Sequence, residues 1–227
     1  MKYRLAVFDM AGTTVQDPGL VAEALAQALA AHGVPVEPEA ARPLMGYDKP
    51  EAIRRLLRAH GAAITAEDSA AVARIHVDFV GRMIDCYRHD PRVRPMPGAE
   101  ATFEQLRAKG VRVALNTAFS RDIAEAIVDR FGWQERGVID DLIAADDVPA
   151  GRPRPFMIDA LRTRAGGIDA AVVVKIGDTE VDIAEGRNAG VGKVVSVTTG
   201  AFTRDELLPY GPDAVIDDLS DLARLLC

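Results

Sequence analysis

The sequence predicts an α/β fold in which a doubly wound parallel sheet carries an inserted α-helical cap. From Pro97 onward, helical periodicity alternates regularly with short apolar runs that suit buried parallel strands. Residues 16–92, by contrast, contain helical patterns and no convincing strand. We therefore predict a core domain of residues 1–15 and 93–227 and a cap domain of residues 16–92, joined by two neighbouring linkers that act as a hinge.

The individual elements follow from the spacing of apolar residues. Residues 5–8 are all apolar and predict the first, buried strand. In the cap, an apolar stripe over residues 20–29 predicts a helix, and further helices are centred on residues 53–57 and 72–83. The predicted core elements are, in order, helix 98–109, strand 111–116, helix 121–131, strand 142–144, helix 154–165, strand 172–176, helix 180–189, strand 193–197 and a short terminal strand and helix.

The composition excludes several classes of function. The 227 residues suffice for one sizeable core, and a net charge of −7 argues against nucleic acid or a membrane surface as a partner, since both normally need a basic patch. No leader pattern and no membrane-length apolar stretch is visible, so we expect a cytoplasmic protein. Cys86 and Cys227 give neither a disulfide framework nor metal-ligand spacing. The apolar cap helices pack internally or against a second copy, which leaves a homodimer as one expectation.

The first strand ends abruptly in Asp9-Met10-Ala11-Gly12-Thr13-Thr14. Open α/β sheets bind ligands outside the carboxyl ends of their strands. A carboxylate placed there can coordinate a hard cation and attack phosphorus, while Gly12 lets the backbone approach an anion. Taken alone, an Asp at a strand end is more often a turn or capping residue.

Three later stretches favour the functional interpretation. A second apolar strand ends in Asn116-Thr117, Arg152 lies on a later loop, and a third strand leads into Gly177-Asp178-Thr179-Glu180-Val181-Asp182. A nucleophile, a hydroxyl group, a cation and an acidic pair therefore occur in order, at positions that a parallel sheet brings together.

These four motifs resemble those of the haloacid dehalogenase superfamily of phosphotransferases. The matching residues are Asp9, Thr117, Arg152 and Asp178 with Asp182, and the resemblance covers nearly the whole chain. Within the superfamily, the segments 9–14 and 146–153 are most similar to the phosphonoacetaldehyde hydrolase (phosphonatase) group. The resemblance implies a Rossmann-like core of the superfamily's type with a helical cap.

The resemblance also implies the catalytic roles of the acidic residues. Asp9 is expected to be the nucleophile that forms an aspartyl-phosphate, with Mg²⁺ held by Asp9, the backbone carbonyl of Ala11 and Asp178. Asp182, in the first turn of the following helix, is expected to hold a metal-bound water. The alternative is that the acidic pair only caps that helix.

Thr117 and Arg152 are expected to bind and neutralise the transferring phosphoryl group, together with the backbone N–H of Ala118. The alternative is that Thr117 caps the next helix and Arg152 is a solvated loop cation. The full predicted substrate-binding set is Gly12, Thr13, Gly46 and Ala118.

Ala11 and Lys49 bear on the type of reaction. Phosphomonoesterases of the superfamily usually have a general acid two residues after the nucleophile, and the Ala11 methyl group cannot donate a proton. The phosphonatase group instead uses a cap lysine that forms a Schiff base, and the spacing Met45-Gly46-x-x-Lys49 matches it. Ala52 and Phe119 stand where that group has a histidine and a tyrosine that help move protons. The alternative is an exposed lysine, or one that grips a substrate oxyanion.

The sequence therefore predicts a Mg²⁺-dependent hydrolase that cleaves the carbon–phosphorus bond of a small phosphonate, phosphonoacetaldehyde or a related carbonyl compound. One alternative is a phosphatase for a small metabolite with a good leaving group. The other is a weakly catalytic regulatory protein that binds a phosphorylated ligand.

Overall fold

The computed structural model describes residues 2–61 and 69–226, and its centre is one six-stranded sheet. The strands are β1 (Leu5–Phe8), β2 (Arg112–Thr117), β3 (Asp141–Ala144), β4 (Val173–Gly177), β5 (Lys193–Val197) and β6 (Ala214–Ile216). Their order is β3-β2-β1-β4-β5-β6, and every neighbouring pair is parallel. The predicted α/β fold class is confirmed.

Helices cover both sides of this sheet and also form the cap. They are α1 (Leu20–Ala31), α2 (Lys49–Ala59), α3 (Ser69–His89), α4 (Ala99–Ala108), α5 (Arg121–Phe131), α6 (Phe156–Arg164), α7 (Glu180–Asn188), α8 (Arg204–Leu207) and α9 (Leu222–Leu225). Short 3₁₀ helices occupy Pro38–Leu44, Ala145–Asp147, Ala170–Val172, Leu208–Tyr210 and Leu219–Asp221. None of the described helices is both long and apolar enough to cross a bilayer.

Strand β1 is buried on both faces, which explains its continuous apolar sequence. Ala6 and Phe8 belong to one hydrophobic core, whereas Leu5 and Val7 belong to a second core on the other side of the sheet. The strand is paired with β2 on one side and β4 on the other. The chain order reverses at this position, which is where α/β sheets open a crevice for ligands.

The described part of residues 16–92 is helical. Helix α1 packs against α3, and the 3₁₀ helix Pro38–Leu44 lies between α1 and α2. The sequence did not predict this 3₁₀ helix. The segment is short and contains two prolines, so its apolar residues do not repeat with a helical period. Cys227 lies outside the described residues, and Cys86 is a half-buried free thiol.

The two linkers between this segment and the sheet pair with each other. The Gln16 N–H donates to the Arg94 carbonyl at 2.9 Å, and the Met96 N–H donates to the Thr14 carbonyl at 2.8 Å. Between them, Val15 and Pro95 form an antiparallel bridge. The chain therefore leaves and re-enters the core at one place, as the hinge prediction requires.

Candidate active site

The carboxyl ends of β1, β2 and β4 bring the predicted motif residues to one edge of the sheet. Asp9 directly follows β1, Thr117 is the last residue of β2 and Asp178 directly follows β4. Because Phe8 is in register with both Leu115 and Ile176, the residues that follow these strands lie side by side. They line one cavity of about 470 Å³, whose other walls come from further core residues and from residues 17–49.

Three buried carboxylates meet at this edge. Asp9, Asp178 and Asp182 each offer one oxygen, and these oxygens lie within 4.8 Å of one another. Burial raises the pKa of Asp9, and it raises the pKa of Asp178 well above the usual range, with the neighbouring carboxylates adding to the effect. Burial also opposes ionisation of Asp182, but Arg152 and Lys175 outweigh it, so the pKa of Asp182 is lowered.

Asp178 is held in place by two donors. The Thr13 hydroxyl donates to one of its oxygens at 2.9 Å, and the Ala201 N–H donates to the other at 2.8 Å. The sequence predicted Thr13 as a substrate-binding residue, whereas in the structure its buried hydroxyl is engaged with Asp178. Gly12 has φ of 85°, and a Cβ at this position would lie 2.6 Å from an Asp178 oxygen, so only glycine fits beside that carboxylate.

Asp182 caps α7, as the alternative interpretation predicted, and it also faces the basic groups of the site. One of its oxygens accepts hydrogen bonds from the N–H and hydroxyl of Thr179, which close a capping box at the start of α7. Its other oxygen lies 3.0 Å from Arg152 and 2.9 Å from Lys175. Helix capping therefore fixes the orientation in which this carboxylate faces the other charges.

Arg152 is buried at the centre of the site, so the solvated loop cation is the wrong alternative. It donates to Asp9 at 2.6 Å, to Glu185 at 3.1 Å, and to the carbonyl and side-chain oxygens of Asn116 at 2.7 and 2.6 Å. With Asp182 also in contact, the guanidinium is fully engaged by acceptors. Its position beside Asp9 is the one needed to neutralise charge on a transferring group.

Lys175 and Glu185 also belong to the site, although the sequence motifs did not predict them. Lys175 is fully buried in β4 and contacts Asn116 at 2.7 Å, Asp182 at 2.9 Å and Glu185 at 3.3 Å. The signal was a lysine in the middle of an apolar parallel strand, where an unpaired charge would be costly. Glu185 lies three residues after Asp182 and therefore on the same face of α7.

We call Asp9, Asp178, Asp182, Glu185, Arg152 and Lys175 the polar cluster. Its four carboxyl and two basic groups, when all are ionised, leave a net charge of two negative. One divalent cation would neutralise that charge, and carboxylate oxygens are the ligands that Mg²⁺ prefers. The three carboxylates thus fit a hard divalent ion held by Asp9 and Asp178, with Asp182 close by, and Ala11 lines the same cavity.

The remaining predicted core residues surround the cavity. Thr117 and Ala118 line it, and the Thr117 hydroxyl accepts the Phe119 N–H at 3.2 Å. The N-cap of α5 is Ser120, so the alternative in which Thr117 caps that helix is wrong. The Thr117 hydroxyl therefore retains its proton for a ligand.

The cap contributes Gly46 and Lys49 to the same cavity. Lys49 is 3% exposed, which rules out the exposed alternative, and its Nζ lies 3.3 Å from the Tyr47 carbonyl and 5.2 Å from the centre of the Phe119 ring. Burial lowers the pKa of Lys49 to about 8, although Asp9 and Asp17 act in the opposite direction. Lys49 is thus a buried amine that is partly neutral near physiological pH.

Asp48 does not point with its neighbour into the cavity. Its carboxylate is the N-cap of α2 and accepts the Glu51 N–H at 3.0 Å. Ala52 is fully buried one turn further along the helix. Neither Asp48 nor Ala52 therefore places a titratable group beside the Lys49 amine.

Comparisons with known proteins agree with this geometry. The family model described as haloacid dehalogenase-like hydrolase matches residues 3–190. A protein named phosphonoacetaldehyde hydrolase from Nitratidesulfovibrio vulgaris is 33% identical over 207 residues, which cover 87% of this chain and 72% of the relative. A phosphonoacetaldehyde hydrolase-like protein from Syntrophobacter fumaroxidans is 32% identical over 218 residues, covering 91% of this chain and 78% of the relative.

The fold is also similar to solved structures. One, described as a predicted phosphoglycolate phosphatase from Haemophilus somnus, superposes with a TM-score of 0.81 at 19% identity and covers 100% of this chain and 99% of the other. At that identity, the similarity concerns the fold alone.

Proposed function

The chain belongs to the haloacid dehalogenase-like hydrolase family, and on that premise we propose that it cleaves the carbon–phosphorus bond of a small carbonyl phosphonate such as phosphonoacetaldehyde. The observation that carries the proposal is a buried lysine of lowered pKa, Lys49, in the same cavity as the nucleophile Asp9. The relatives that are named phosphonoacetaldehyde hydrolase support the same class of substrate.

The lysine solves the problem of the leaving group. Carbon leaves phosphorus with an electron pair, and Ala11 offers no acid to stabilise it. The neutral Lys49 amine and one proton condense with the substrate carbonyl to give a protonated imine and water, and this imine is an electron sink next to the carbon bound to phosphorus. When Asp9 attacks phosphorus, the electrons of the broken bond move toward the imine nitrogen and leave a neutral enamine. Protonation of the enamine carbon and hydrolysis of the imine then release the carbonyl product and restore the Lys49 amine.

The polar cluster then acts on the phosphoryl group. Asp9 becomes an aspartyl-phosphate, which water hydrolyses to regenerate the carboxylate and release phosphate. Arg152, 2.6 Å from Asp9, neutralises charge on the phosphoryl oxygens, and the Thr117 hydroxyl and Ala118 N–H donate hydrogen bonds to them. Glu185 holds Arg152 in position, and Lys175 holds Asp182 in position.

We propose Mg²⁺ as the cofactor, held by Asp9, the Ala11 carbonyl and Asp178. When bound, it supplies positive charge that offsets the repulsion between the carboxylates and an incoming phosphonate. The net charge of the polar cluster supports a divalent rather than a monovalent ion.

A phosphatase acting on a small metabolite with a good leaving group is the second candidate. Ala52 and Phe119 favour it, because neither side chain can move a proton at the Lys49 amine. In that case Lys49 would bind a substrate oxyanion as a cation.

Phosphate release from two substrates separates these candidates. With Mg²⁺ present, we expect the native protein to release phosphate from phosphonoacetaldehyde, and the Lys49→Ala variant to lose that activity while it keeps slow hydrolysis of para-nitrophenyl phosphate. Asp9→Asn should abolish both activities, since both need the nucleophile. Equal ester hydrolysis by the native and Lys49→Ala proteins, with the phosphonate untouched by either, would establish the phosphatase instead.

A further inference from the structure

Asp17 is a further ionisable group in the cavity of Lys49, outside the polar cluster. It follows the first linker, lines the same cavity as Asp9 and Lys49, and is half-buried there. Its carboxylate accepts the Val21 N–H at 3.3 Å, so the start of α1 fixes its position. Within the described ranges, no basic side chain lies within ion-pair distance of it. The carboxylate is therefore anchored by backbone and still able to exchange a proton.

The other acids around Lys49 are already engaged. Asp9 is bound by Arg152, and Asp48 caps α2. At the mouth of the cavity, Glu23 lies 3.5 Å from Arg92, and Glu39 is exposed to solvent. Asp178 also lines the cavity and accepts the Thr13 hydroxyl. Among the described residues, Asp17 is thus the partly buried carboxylate of this cavity that has no partner side chain.

His76 and Tyr87, two other titratable side chains near Lys49, do not take the place of Asp17. Burial and, to a smaller extent, Lys49 act to lower the pKa of His76 on α3, but His76 lines a separate cavity with Asp48 and Asp146. Tyr87 is fully buried, its hydroxyl has no hydrogen-bond partner among the described residues, and it does not line the cavity. Asp17 consequently remains the candidate for proton exchange with Lys49 among the described residues that line this cavity.

The ionisation of Asp17 suits a proton carrier. Burial raises its pKa from the usual range, whereas the backbone N–H groups of α1 and the Lys49 amine act to lower it. An acid with a raised pKa and an amine with a lowered pKa exchange a proton more readily near neutral pH than the same groups in water. Asp9, Asp17 and Asp48 act to raise the pKa of Lys49, and Arg152 acts to lower it.

We propose that Asp17 is the acid–base residue of imine formation at Lys49, an inference that rests on the proposed function. The Asp17 carboxylate takes one proton from the Lys49 ammonium, and the neutral amine adds to the substrate carbonyl. A second proton moves from nitrogen to oxygen to give the carbinolamine. Asp17 then returns its proton to the carbinolamine hydroxyl, which leaves as water, and the lysine is left as a protonated imine. Asp17 ends ionised, as it began.

A purely electrostatic role for Asp17 makes the opposite prediction. If the carboxylate only stabilised the Lys49 ammonium, Asp17→Asn would lower the pKa of Lys49 further. More of the amine would then be neutral below pH 8, and imine formation would be faster. The direction of the change in rate therefore separates proton transfer from simple charge stabilisation.

The test measures the imine directly. In an Asp9→Asn background, which blocks attack on phosphorus, the protein is mixed with phosphonoacetaldehyde, and the imine is trapped at successive times with borohydride. Mass spectrometry then quantifies the reduced adduct on Lys49. We expect Asp17→Asn to slow formation of the adduct by about a hundredfold to ten-thousandfold. Glu37→Gln, which removes an exposed carboxylate of the same cap outside the cavity, should leave the rate unchanged.

The outcomes distinguish the two proposals. An adduct that forms at the same rate or faster in Asp17→Asn would overturn the role of Asp17 and leave the Schiff base intact. The absence of an adduct on Lys49 in every protein would overturn the Schiff base and the role of Asp17 together. A slow Asp17→Asn reaction that Asp17→Glu partly restores would support both.

Discussion

At the scale of single residues, the environment of Lys49 determines when its amine can react. Only the neutral amine adds to a carbonyl, and burial lowers the pKa of Lys49 to about 8 from a usual value near 10.5. The neutral fraction therefore increases as the pH rises toward 8 and changes little above it. Because the pKa of Lys49 is lowered, its amine becomes neutral at a lower pH than the amine of an ordinary lysine.

We accordingly expect kcat/KM for the phosphonate in the Asp17→Asn variant, which has no internal base for the amine, to rise about tenfold per pH unit at low pH and to level by pH 8. Hydrolysis of para-nitrophenyl phosphate should not show this rise, since it does not need the amine. The measurement is a pair of pH profiles on the same protein. A phosphonate profile that continues to rise beyond pH 10 would mean that the Lys49 amine is not buried in the active form.

At the scale of structural elements, the junction between the cap loop and α7 depends on one glycine. Gly46 has φ of 85°, and a Cβ there would lie 2.3 Å from the hydroxyl of Thr179. Thr179 in turn caps α7 through Asp182. A larger residue at position 46 would push the loop that carries Lys49 away from the helix that carries Asp182.

Gly46→Ala is therefore expected to lower kcat/KM for the phosphonate strongly and to destabilise the fold. Gly33→Ala is the matched control, because Gly33 has nearly the same φ of 84° but no atom within 4 Å of its added Cβ. In both variants an alanine must adopt the left-handed backbone conformation, which costs about 1–2 kcal/mol. Only in Gly46→Ala does the added Cβ also clash with the Thr179 side chain. Thermal unfolding and steady-state kinetics of the two variants make the comparison. Equal activity in both would show that the contact with Thr179 is unimportant.

At the scale of the whole molecule, Arg42 connects the cap to the core across the mouth of the cavity. Its guanidinium donates to the Ala201 carbonyl at 2.8 Å, pairs with Glu206, and lies 5.7 Å from the centre of the Phe202 ring. The Ala201 N–H holds Asp178 at 2.8 Å. Ala201 therefore contacts both Arg42 of the cap and Asp178 of the site.

Arg42→Ala should raise KM for the phosphonate and reduce kcat, because the cap closes less completely over bound substrate. The midpoint of thermal unfolding should change little, since exposed ion pairs contribute little to stability. Arg54→Ala is the control, as Arg54 pairs only within the cap, with Glu51 at 3.7 Å. Kinetic constants that change equally in both variants would contradict a role for the contact with the core.

The sequence predicted the fold and the residues at the strand ends because both depend on local patterns. Asp9, Thr117 and Asp178 follow apolar runs, and parallel strands bring their carboxyl ends together whatever the cap does. Strand β4 was displaced by one residue, since Val172 belongs to a 3₁₀ turn. Such shifts at element boundaries are expected when hydrogen bonding, not hydropathy, decides the end.

Other parts of the site depend on contacts between distant segments. The burial of Lys49 requires the start of α2 to meet Phe119, just after β2, and the role proposed for Asp17 requires the start of α1 to face the same cavity. Neither follows from the spacing of residues along the chain. Lys175 is different, because a lysine inside an apolar strand was visible in the sequence and implied a buried anionic partner.

The pairing of the two linkers bears on how the inserted residues 16–92 can vary in length and shape. Gln16 and Arg94 are neighbours through a 2.9 Å hydrogen bond, although 77 residues separate them in sequence. An insertion whose ends already meet adds no strain to the strands that flank it, and its closure entropy grows only slowly with length. The same core can therefore accommodate insertions of other lengths and shapes at this point, and substrate preference can change by exchange of a module while the residues at the strand ends of the core stay the same.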